Sequence, residues 1–238
     1  MKNHIHTIPV LSALRDPGHC PFCKMHNKLE EDAVNFVMGP AYMDEDIRDK
    51  TNEAGFCKEH LDKLYAVQNR LGLALLLHTH LKELQKIINT PVETKVSSGL
   101  FKKTESSSGR MAGQVMQQQN RCYVCEKVDN TFKQYVDTFF YMWKREAEMP
   151  VLVKALPGIC LPHYGMLITV AESTLSKKQL EDFLTVAIPM QQQAIAKLEE
   201  DLDWFIQKFD YRNADAPWKD SKEALTRAMA ILKGINHA

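Results

Sequence analysis

The stretch Cys20-Pro-Phe-Cys23 and, about 33 residues after it, Gly55-Phe-Cys57-Lys-Glu-His60 decide how this chain is organised. Two cysteines separated by two residues can point both sulfurs at one metal ion when the chain turns tightly between them. A Cys-x-x-His turn supplies two further ligands, so that three thiolates and one imidazole complete a closed tetrahedral zinc site. Glycine stands two residues before the second-half cysteine, where such a turn often needs a backbone conformation that only glycine adopts at low cost.

The same pattern occurs a second time, about a hundred residues later. Cys122-Tyr-Val-Cys125 is followed, after about 34 residues, by Gly158-Ile-Cys160-Leu-Pro-His163. The two copies use all six cysteines of the chain. We therefore predict two zinc ions per chain, each bound by the ligands of one copy. The predicted ligand sets are Cys20, Cys23, Cys57 and His60 in the first copy and Cys122, Cys125, Cys160 and His163 in the second.

Other uses of these cysteines explain the pattern less well. A lone Cys-x-x-Cys is shared with redox motifs, but two of them, each followed at nearly equal distance by Gly-x-Cys-x-x-His, favour metal binding. Disulfides within a copy would leave one thiol over, and the N-terminal residues lack the apolar segment of a secretory signal. Zinc is favoured over iron because nothing else in the sequence suggests electron transfer. An iron–sulfur cluster stays open, because thiolates hold such clusters and histidine replaces cysteine in some of them.

Length and composition are typical of a globular protein. The chain has 238 residues, of which 45% are hydrophobic and 25% are charged, which allows one large domain or two small ones. Thirty basic and thirty acidic residues balance to a formal net charge of zero, which argues against a broad nucleic-acid surface. The most apolar run, residues 71–77, is too short to span a bilayer. We therefore expect a cytoplasmic protein without a membrane span.

Apolar residues at three- and four-residue steps predict an all-α fold. We expect duplicated helical zinc-binding units, in which long helices start at the Cys-x-x-Cys and Cys-x-x-His turns. Residues 1–90 are predicted to form the first Cys₃His helical repeat, and residues 119–238 the second repeat with a C-terminal helical extension. Residues 91–118, which are rich in Ser, Gly and Gln, are predicted to be a flexible linker between them.

The periodicity also places the individual helices. Pro189 should kink or interrupt one of them, and Gly234 is expected to cap the C-terminus of the last. The helices are predicted at residues 23–38, 42–54, 58–89, 126–147, 162–172, 176–209 and from about 220 to 234.

A polar and aromatic loop before the last helix is the candidate ligand or partner loop. Its candidate residues are Asp210, Tyr211, Arg212 and Trp218. The guanidinium of Arg212 can grip an anion, and the Trp218 ring can stack on a planar group. The alternative is a loop that only connects two helices, with its aromatic rings in the core and Arg212 paired with a carboxylate.

The two Cys/His copies, followed by Lys208-Phe-Asp-Tyr-Arg212 and Pro217-Trp218 before a final helix, resemble an uncharacterised bacterial family whose domain has no known function. The resemblance covers nearly the whole chain. It implies the organisation of the chain only, because a family without an assigned activity offers no catalytic residues to carry over.

Three classes of function fit this pattern. The first is a structural zinc protein that acts as a binding or adaptor module for an unknown protein partner, or as a homodimer joined by its long apolar helices. The second is a redox or metal sensor that uses zinc–thiolate or iron–sulfur sites. The third is a metal-dependent enzyme in which one ligand, such as His60 or His163, leaves a position open beside the 210–218 loop. No nucleophile or general base stands out, so the first class is favoured and no catalytic residue is assigned.

Overall fold

The structure, a computed structural model, describes residues 5–16, 18–91 and 107–234. Within these ranges every regular element is helical and no strand occurs, which confirms the all-α prediction. The α-helices are α1 Thr7–Arg15, α2 Pro21–Met38, α3 Glu45–Ala54, α4 Lys58–Ala66, α5 Arg70–Ile88, α6 Ser107–Gln119, α7 Tyr123–Trp143, α8 Met149–Lys154, α9 Leu161–Thr174, α10 Lys177–Gln207 and α11 Ala224–Lys233. Among the described residues, no helix combines the length and the apolar character that crossing a bilayer requires.

Four helices begin directly after a cysteine of the repeated motifs, as predicted. Helices α2 and α7 start one residue after Cys20 and Cys122, at the two Cys-x-x-Cys turns. Helices α4 and α9 start at the two Cys-x-x-His turns, where Cys57 and Cys160 occupy the N-cap positions. Each motif therefore places its second ligand in the first turn of a helix.

The long helix predicted over residues 58–89 is divided into α4 and α5. Between them Gln68 has a φ of 66°, which a right-handed helix does not allow. The Asn69 side chain then starts α5 by accepting a hydrogen bond from the backbone N–H of Gly72 at 3.0 Å. It also donates to the Met38 carbonyl at 2.8 Å, so the break is held by contacts to another helix. The helix therefore breaks at the Asn69 cap, although the apolar residues continue at helical spacing across this position.

Two further expectations about single segments are corrected. Residues 107–118, which were predicted to belong to the flexible linker, lie in helix α6, which extends to Gln119, while residues 92–106 of that linker lie outside the described residues. Pro189 does not interrupt helix α10, which runs through it over 31 residues, and the kink stays a prediction. Gly234 does cap α11, with a φ of 85° and its N–H bonded to the Ala230 carbonyl.

The chain forms two compact units, and the division differs from the one expected from the sequence. The terminal unit consists of Met1–Lys28 and Thr131–Ala238, and the central unit consists of Leu29–Asn130. Each unit therefore contains parts of both sequence copies, rather than one copy each.

An aromatic cluster forms the core of the terminal unit. Phe139 and Phe140 of α7 pack edge to face with a centroid distance of 5.1 Å, and Phe140 contacts Phe183 of α10 at 5.5 Å. Two more rings complete the cluster, with centroid distances of 5.4 Å from Phe22 to Phe139 and 5.1 Å from Trp143 to Phe183. The aromatic stripe of α7 is thus a packed core and not a binding surface.

The core of the central unit is mainly aliphatic. Val37, Leu64 and Leu76 are fully buried there, and Cys122 and Val124 of the second Cys-x-x-Cys turn belong to the same cluster. Because this turn is part of the core, the position of its two sulfurs depends on the packing of the whole unit.

Candidate metal centres

The terminal site brings together the Cys-x-x-Cys of the first copy and the Cys-x-x-His of the second. Its donors are Cys20, Cys23, Cys160 and His163. The three sulfurs lie 3.7, 3.4 and 3.2 Å from the Nδ1 atom of His163, in that order. Cys23 Sγ is 3.5 Å from Cys160 Sγ. All four donors belong to the terminal unit.

The central site contains the complementary set, Cys57, His60, Cys122 and Cys125. The sulfurs of these cysteines lie 3.2, 3.3 and 3.4 Å from the Nδ1 atom of His60. Cys57 Sγ and Cys125 Sγ are 3.9 Å apart. Both sites therefore present three sulfurs and one Nδ1 atom, all within 4.8 Å of one another.

The structure thus brings together the eight predicted donors, but the prediction that each copy closes its own site is wrong. Helix α2 begins at the first Cys-x-x-Cys turn in the terminal unit, and from Leu29 onward it belongs to the central unit. In the central unit Cys57 meets the second Cys-x-x-Cys turn. The first turn is instead completed by Cys160 and His163, which arrive when the chain has returned to the terminal unit.

The donor separations fit one tetrahedral ion in each site. With bonds of about 2.3 Å to sulfur and about 2.0 Å to nitrogen, a tetrahedral zinc ion holds its sulfurs about 3.8 Å apart and each sulfur about 3.5 Å from the nitrogen. The observed sulfur–sulfur distances are 3.5 and 3.9 Å. A disulfide requires about 2.05 Å between sulfurs, and none of the six cysteines, all of which the structure describes, is part of a disulfide.

The charges within each quartet also favour a cation. In the central site, burial opposes ionisation of Cys122, but the hydrogen bond with His60 and those with the backbone of Cys125 and Cys57 together outweigh it and lower the pKa of this thiol to about 6. Burial and the neighbouring Cys122 thiolate then raise the pKa of Cys125 far above its usual range. Three thiolates cannot be ionised so close together without a positive charge between them, and a divalent cation supplies that charge.

The terminal quartet behaves in the same way. Hydrogen bonds with Cys20 and Cys23, followed by burial, raise the pKa of Cys160 far above its usual range. Burial disfavours the charged form of His163, but the Cys20 and Cys23 sulfurs outweigh it and raise its pKa to about 9.

Glycines fix the backbone before the second-half cysteines, as the sequence predicts. Gly55 has a φ of 61° and Gly158 a φ of 129°, both of which favour glycine. A Cβ on Gly55 would lie 2.9 Å from the His80 ring, and one on Gly158 would lie 2.9 Å from the Cβ of Ala194. The Gly55 carbonyl accepts a hydrogen bond from the Tyr123 N–H at 3.0 Å, which ties the two turns of the central site together.

Glu30 and Lys63 support the central site, and the sequence motifs did not single them out. The Nε2 atom of His60 donates to Glu30 Oε1 at 2.9 Å, and Lys63 Nζ donates to Glu30 Oε2 at 2.6 Å. A carboxylate on the far nitrogen of a ligating histidine fixes its tautomer and ring orientation. The signal that could have found Glu30 is its place on α2, but no sequence rule says which of several helical acids meets the imidazole.

Gln191 and Gly234 support the terminal site. The Gln191 side chain is buried on α10 and binds both backbone groups of Ile159, accepting from its N–H at 2.9 Å and donating to its carbonyl at 2.8 Å. It therefore holds the residue just before Cys160. A Cβ on Gly234 would lie 3.1 Å from the Cys23 sulfur, so the end of α11 lies directly against the site.

The ring of His163 has aromatic neighbours where His60 has a carboxylate. Its centroid lies 5.3 Å from that of Phe132 and 6.1 Å from that of Phe22. All four donors of the terminal quartet are buried or half-buried, and its three cysteines are more deeply buried than Cys57 and Cys125. The two sites thus share a donor set but differ in their surroundings.

The residues of the candidate loop have partners within the loop or beside it. Arg212 forms an ion pair with Asp210 at 2.6 Å, and the Trp218 ring lies 5.8 Å from the ring of Phe205. The ammonium of Lys208, which is buried, donates to three loop carbonyls at 2.5 to 2.7 Å and organises the loop around it. Tyr211 is 87% exposed.

Comparison with known proteins identifies the family. No curated protein and no solved structure matches the chain. The sequence profile described as a family of unknown function, DUF6062, matches residues 1–238. The chain, with its two crossed Cys/His quartets, therefore belongs to the DUF6062 family.

Proposed function

We propose that the chain binds two zinc ions, one in each quartet, and that both are closed structural sites of a helical interaction module. The observation that carries this proposal is that three sulfurs and one imidazole nitrogen lie within 4.8 Å of one another in each unit. That separation suits a single tetrahedral ion. A cluster of several irons is bulkier than one ion, and it would hold its terminal ligands farther apart.

The role of the ions would be to join helix starts within each unit. In the terminal unit the ion would tie the start of α2 to the start of α9, and in the central unit it would tie α4 to α7. Structural zinc contributes its binding free energy directly to folding. A four-ligand site leaves no open position for a substrate or a water molecule, which favours a structural role over catalysis.

Metal content of paired variants tests both the proposal and the crossed pairing. Native mass spectrometry and elemental analysis of the wild-type protein should give two zinc ions per chain. Cys20→Ser with Cys160→Ser removes two ligands from one site and should leave one zinc ion, whereas Cys20→Ser with Cys57→Ser should leave none. Pairing within the sequence copies predicts the opposite outcome for the two double variants. The control His19→Ala changes an exposed imidazole beside Cys20 and should keep both ions.

Protein contacts would use the exposed apolar residues around the candidate loop. Ile206, Phe209 and Tyr211 are 68%, 76% and 87% exposed, while Arg212 and Trp218 have partners that hold the loop in shape. Contiguous patches of exposed apolar side chains often mark protein–protein interaction sites. Sedimentation of the wild type and of Phe209→Ser with Tyr211→Ser tests whether the partner is a second copy, and site-specific photo-crosslinking from position 211 tests for another protein.

A redox function of the central site is the second candidate. Cys57 and Cys125 are half-buried, whereas the three cysteines of the terminal site are buried. Peroxide would oxidise these two thiolates to a disulfide, taking two electrons from them and releasing the metal. Their sulfurs would have to move from 3.9 Å to about 2.05 Å apart. Peroxide titration should then release the central ion before the terminal one, and equal release from both sites would refute this candidate.

A further inference from the structure

A cavity in the terminal unit is not explained by metal binding. It has a volume of about 380 Å³ and lies between the Gly18–Cys20 segment, the turn after α8, and helices α10 and α11. Binding pockets for small molecules usually have volumes of about 300 to 1,000 Å³. The cavity is therefore large enough for a small organic ligand.

The wall of the cavity is mostly apolar. The apolar lining comes from three different segments, so it is a concave surface and not the face of one helix. Its apolar side chains include Leu156, Met190, Ala194, Leu198, Ala230 and Ile231. These residues provide a surface for a hydrocarbon or aromatic body, whose burial contributes about 25 cal/mol per Å².

Apart from the sulfur of Cys20, which belongs to the terminal metal site, the charged side chains of the lining are basic. Lys154, Lys197 and Arg227 line the cavity, and neither an aspartate nor a glutamate is among its lining residues. Within the described ranges, no carboxylate pairs with Lys154, which is exposed.

The nearest acids do not cancel this positive charge. Lys197 and Arg227 share one carboxylate, Asp201, at 2.9 and 2.8 Å. Asp220 lies 3.7 Å from Lys197, but its side chain is 73% exposed, where water and salt screen it. Three cations against these two carboxylates leave an excess of one positive charge beside an apolar surface.

We propose that this cavity binds a small anionic amphiphile, with a carboxylate or phosphate head and an apolar body the size of a medium-length acyl chain or one to two aromatic rings. The head lies among Lys154, Lys197 and Arg227, and the body packs against Leu156 and Ile231. Lys and Arg bind both carboxylate and phosphate, so the cavity selects a negatively charged head group and an apolar body but does not distinguish these two anions. This site does not depend on which metal the quartets bind.

The test uses the full-length protein and four ten-carbon probes below their micelle concentrations. Isothermal titration calorimetry compares decanoate and decyl phosphate with decanol and decyltrimethylammonium. We expect at least one of the two anions to bind saturably and at least tenfold more tightly than decanol. Decyltrimethylammonium should bind more weakly than decanol. The stronger of the two anions identifies the head group. Absence of saturable binding by both anions, or equal affinity for decanol and decanoate, overturns the proposal.

Two variants with matched controls locate the site. Lys154→Glu reverses an exposed charge and should weaken anion binding at least tenfold while decanol binding stays unchanged; Lys178→Glu, which changes an exposed lysine outside the cavity, should have no effect. Ala194→Leu fills the cavity and should weaken every probe, whereas Ala196→Leu changes an exposed residue outside it. Anion binding that survives Lys154→Glu refutes the assignment even if the Ala194 variant folds poorly.

Discussion

Replacing Glu30 by Gln should weaken metal binding at the central site alone. Both oxygens of Glu30 face donors, since Oε1 accepts from His60 at 2.9 Å and Oε2 accepts from Lys63 at 2.6 Å. A glutamine of the same shape has only one oxygen, so its NH₂ group must point at one of these two donors. The substitution therefore breaks one hydrogen bond and removes the charge from the other.

The size of the effect follows from these two contacts. Loss of a carboxylate that orients a ligating histidine typically reduces metal affinity by about 10- to 100-fold, which corresponds to about 1.4 to 2.7 kcal/mol. Glu30 is only 16% exposed, so solvent does not replace the lost interactions cheaply. We expect a decrease within this range at the central site and none at the terminal site, whose histidine has aromatic neighbours.

Chelator competition followed with a zinc indicator measures the zinc affinities of the two sites. The affinity of the central site should decrease, and the affinity of the terminal site should stay unchanged. The matched control is Glu59→Gln, which removes an exposed contact to Lys63 at 3.0 Å and leaves the pair between Glu30 and His60 intact. An exposed pair contributes less than about 1 kcal/mol, so this control should change affinity by less than about fivefold. Equal weakening of both sites by Glu30→Gln, or weakening of neither, refutes the reasoning.

Three further predictions concern the two units. Gly234→Ala places a methyl group 3.1 Å from a sulfur of the terminal site and strains a φ of 85°. It should lower the free energy of unfolding by about 1 to 3 kcal/mol, measured by thermal melting. It should also speed metal loss from the terminal site, measured by chelator kinetics. Residues 29–130 contain all four central donors, so this fragment should bind one metal ion by native mass spectrometry, whereas the two sequence copies expressed separately should each lack a complete site. Burial opposes ionisation of Asp201, but Lys197 and Arg227 outweigh it and lower its pKa. This carboxylate therefore stabilises the fold above the unfolded pKa of about 4, and its contribution is lost as the pH falls through the lower folded value. Asp201→Asn should lower stability near pH 7 by about 1 to 3 kcal/mol and flatten the acid side of the stability curve, and an unchanged curve would contradict this assignment.

The helical fold and the donor residues follow from the sequence for physical reasons. A Cys-x-x-Cys turn that leads into an apolar period of three to four residues specifies a helix start with two sulfurs beside it, and α2 and α7 both obey this rule. The positive φ of Gly55 and Gly158 was predictable because a tight turn before the cysteine leaves little other choice.

The pairing of the turns could not be predicted, because both pairings offer the same donors. Either combination of one Cys-x-x-Cys and one Cys-x-x-His gives three sulfurs and one imidazole, and the similar spacings of the two copies favour neither. The decision depends on the direction in which α2 leads the chain and on side chains such as Gln191 that hold a turn from another helix. These are tertiary contacts between distant residues, which a motif does not encode.

The crossed quartets also impose an order on protein synthesis. The central donors, from Cys57 to Cys125, lie wholly within the loop that Cys23 and Cys160 close, so one closure is nested inside the other. A ribosome that adds about 5 to 20 residues per second delivers Cys160 roughly 7 to 27 s after Cys23. During that interval the first two thiols of the nascent chain have no imidazole from their own site, while the inner quartet can already be completed. With the metal binding proposed above, the first cysteines to leave the ribosome would be among the last to be bound, because their quartet is complete only when His163 has been added.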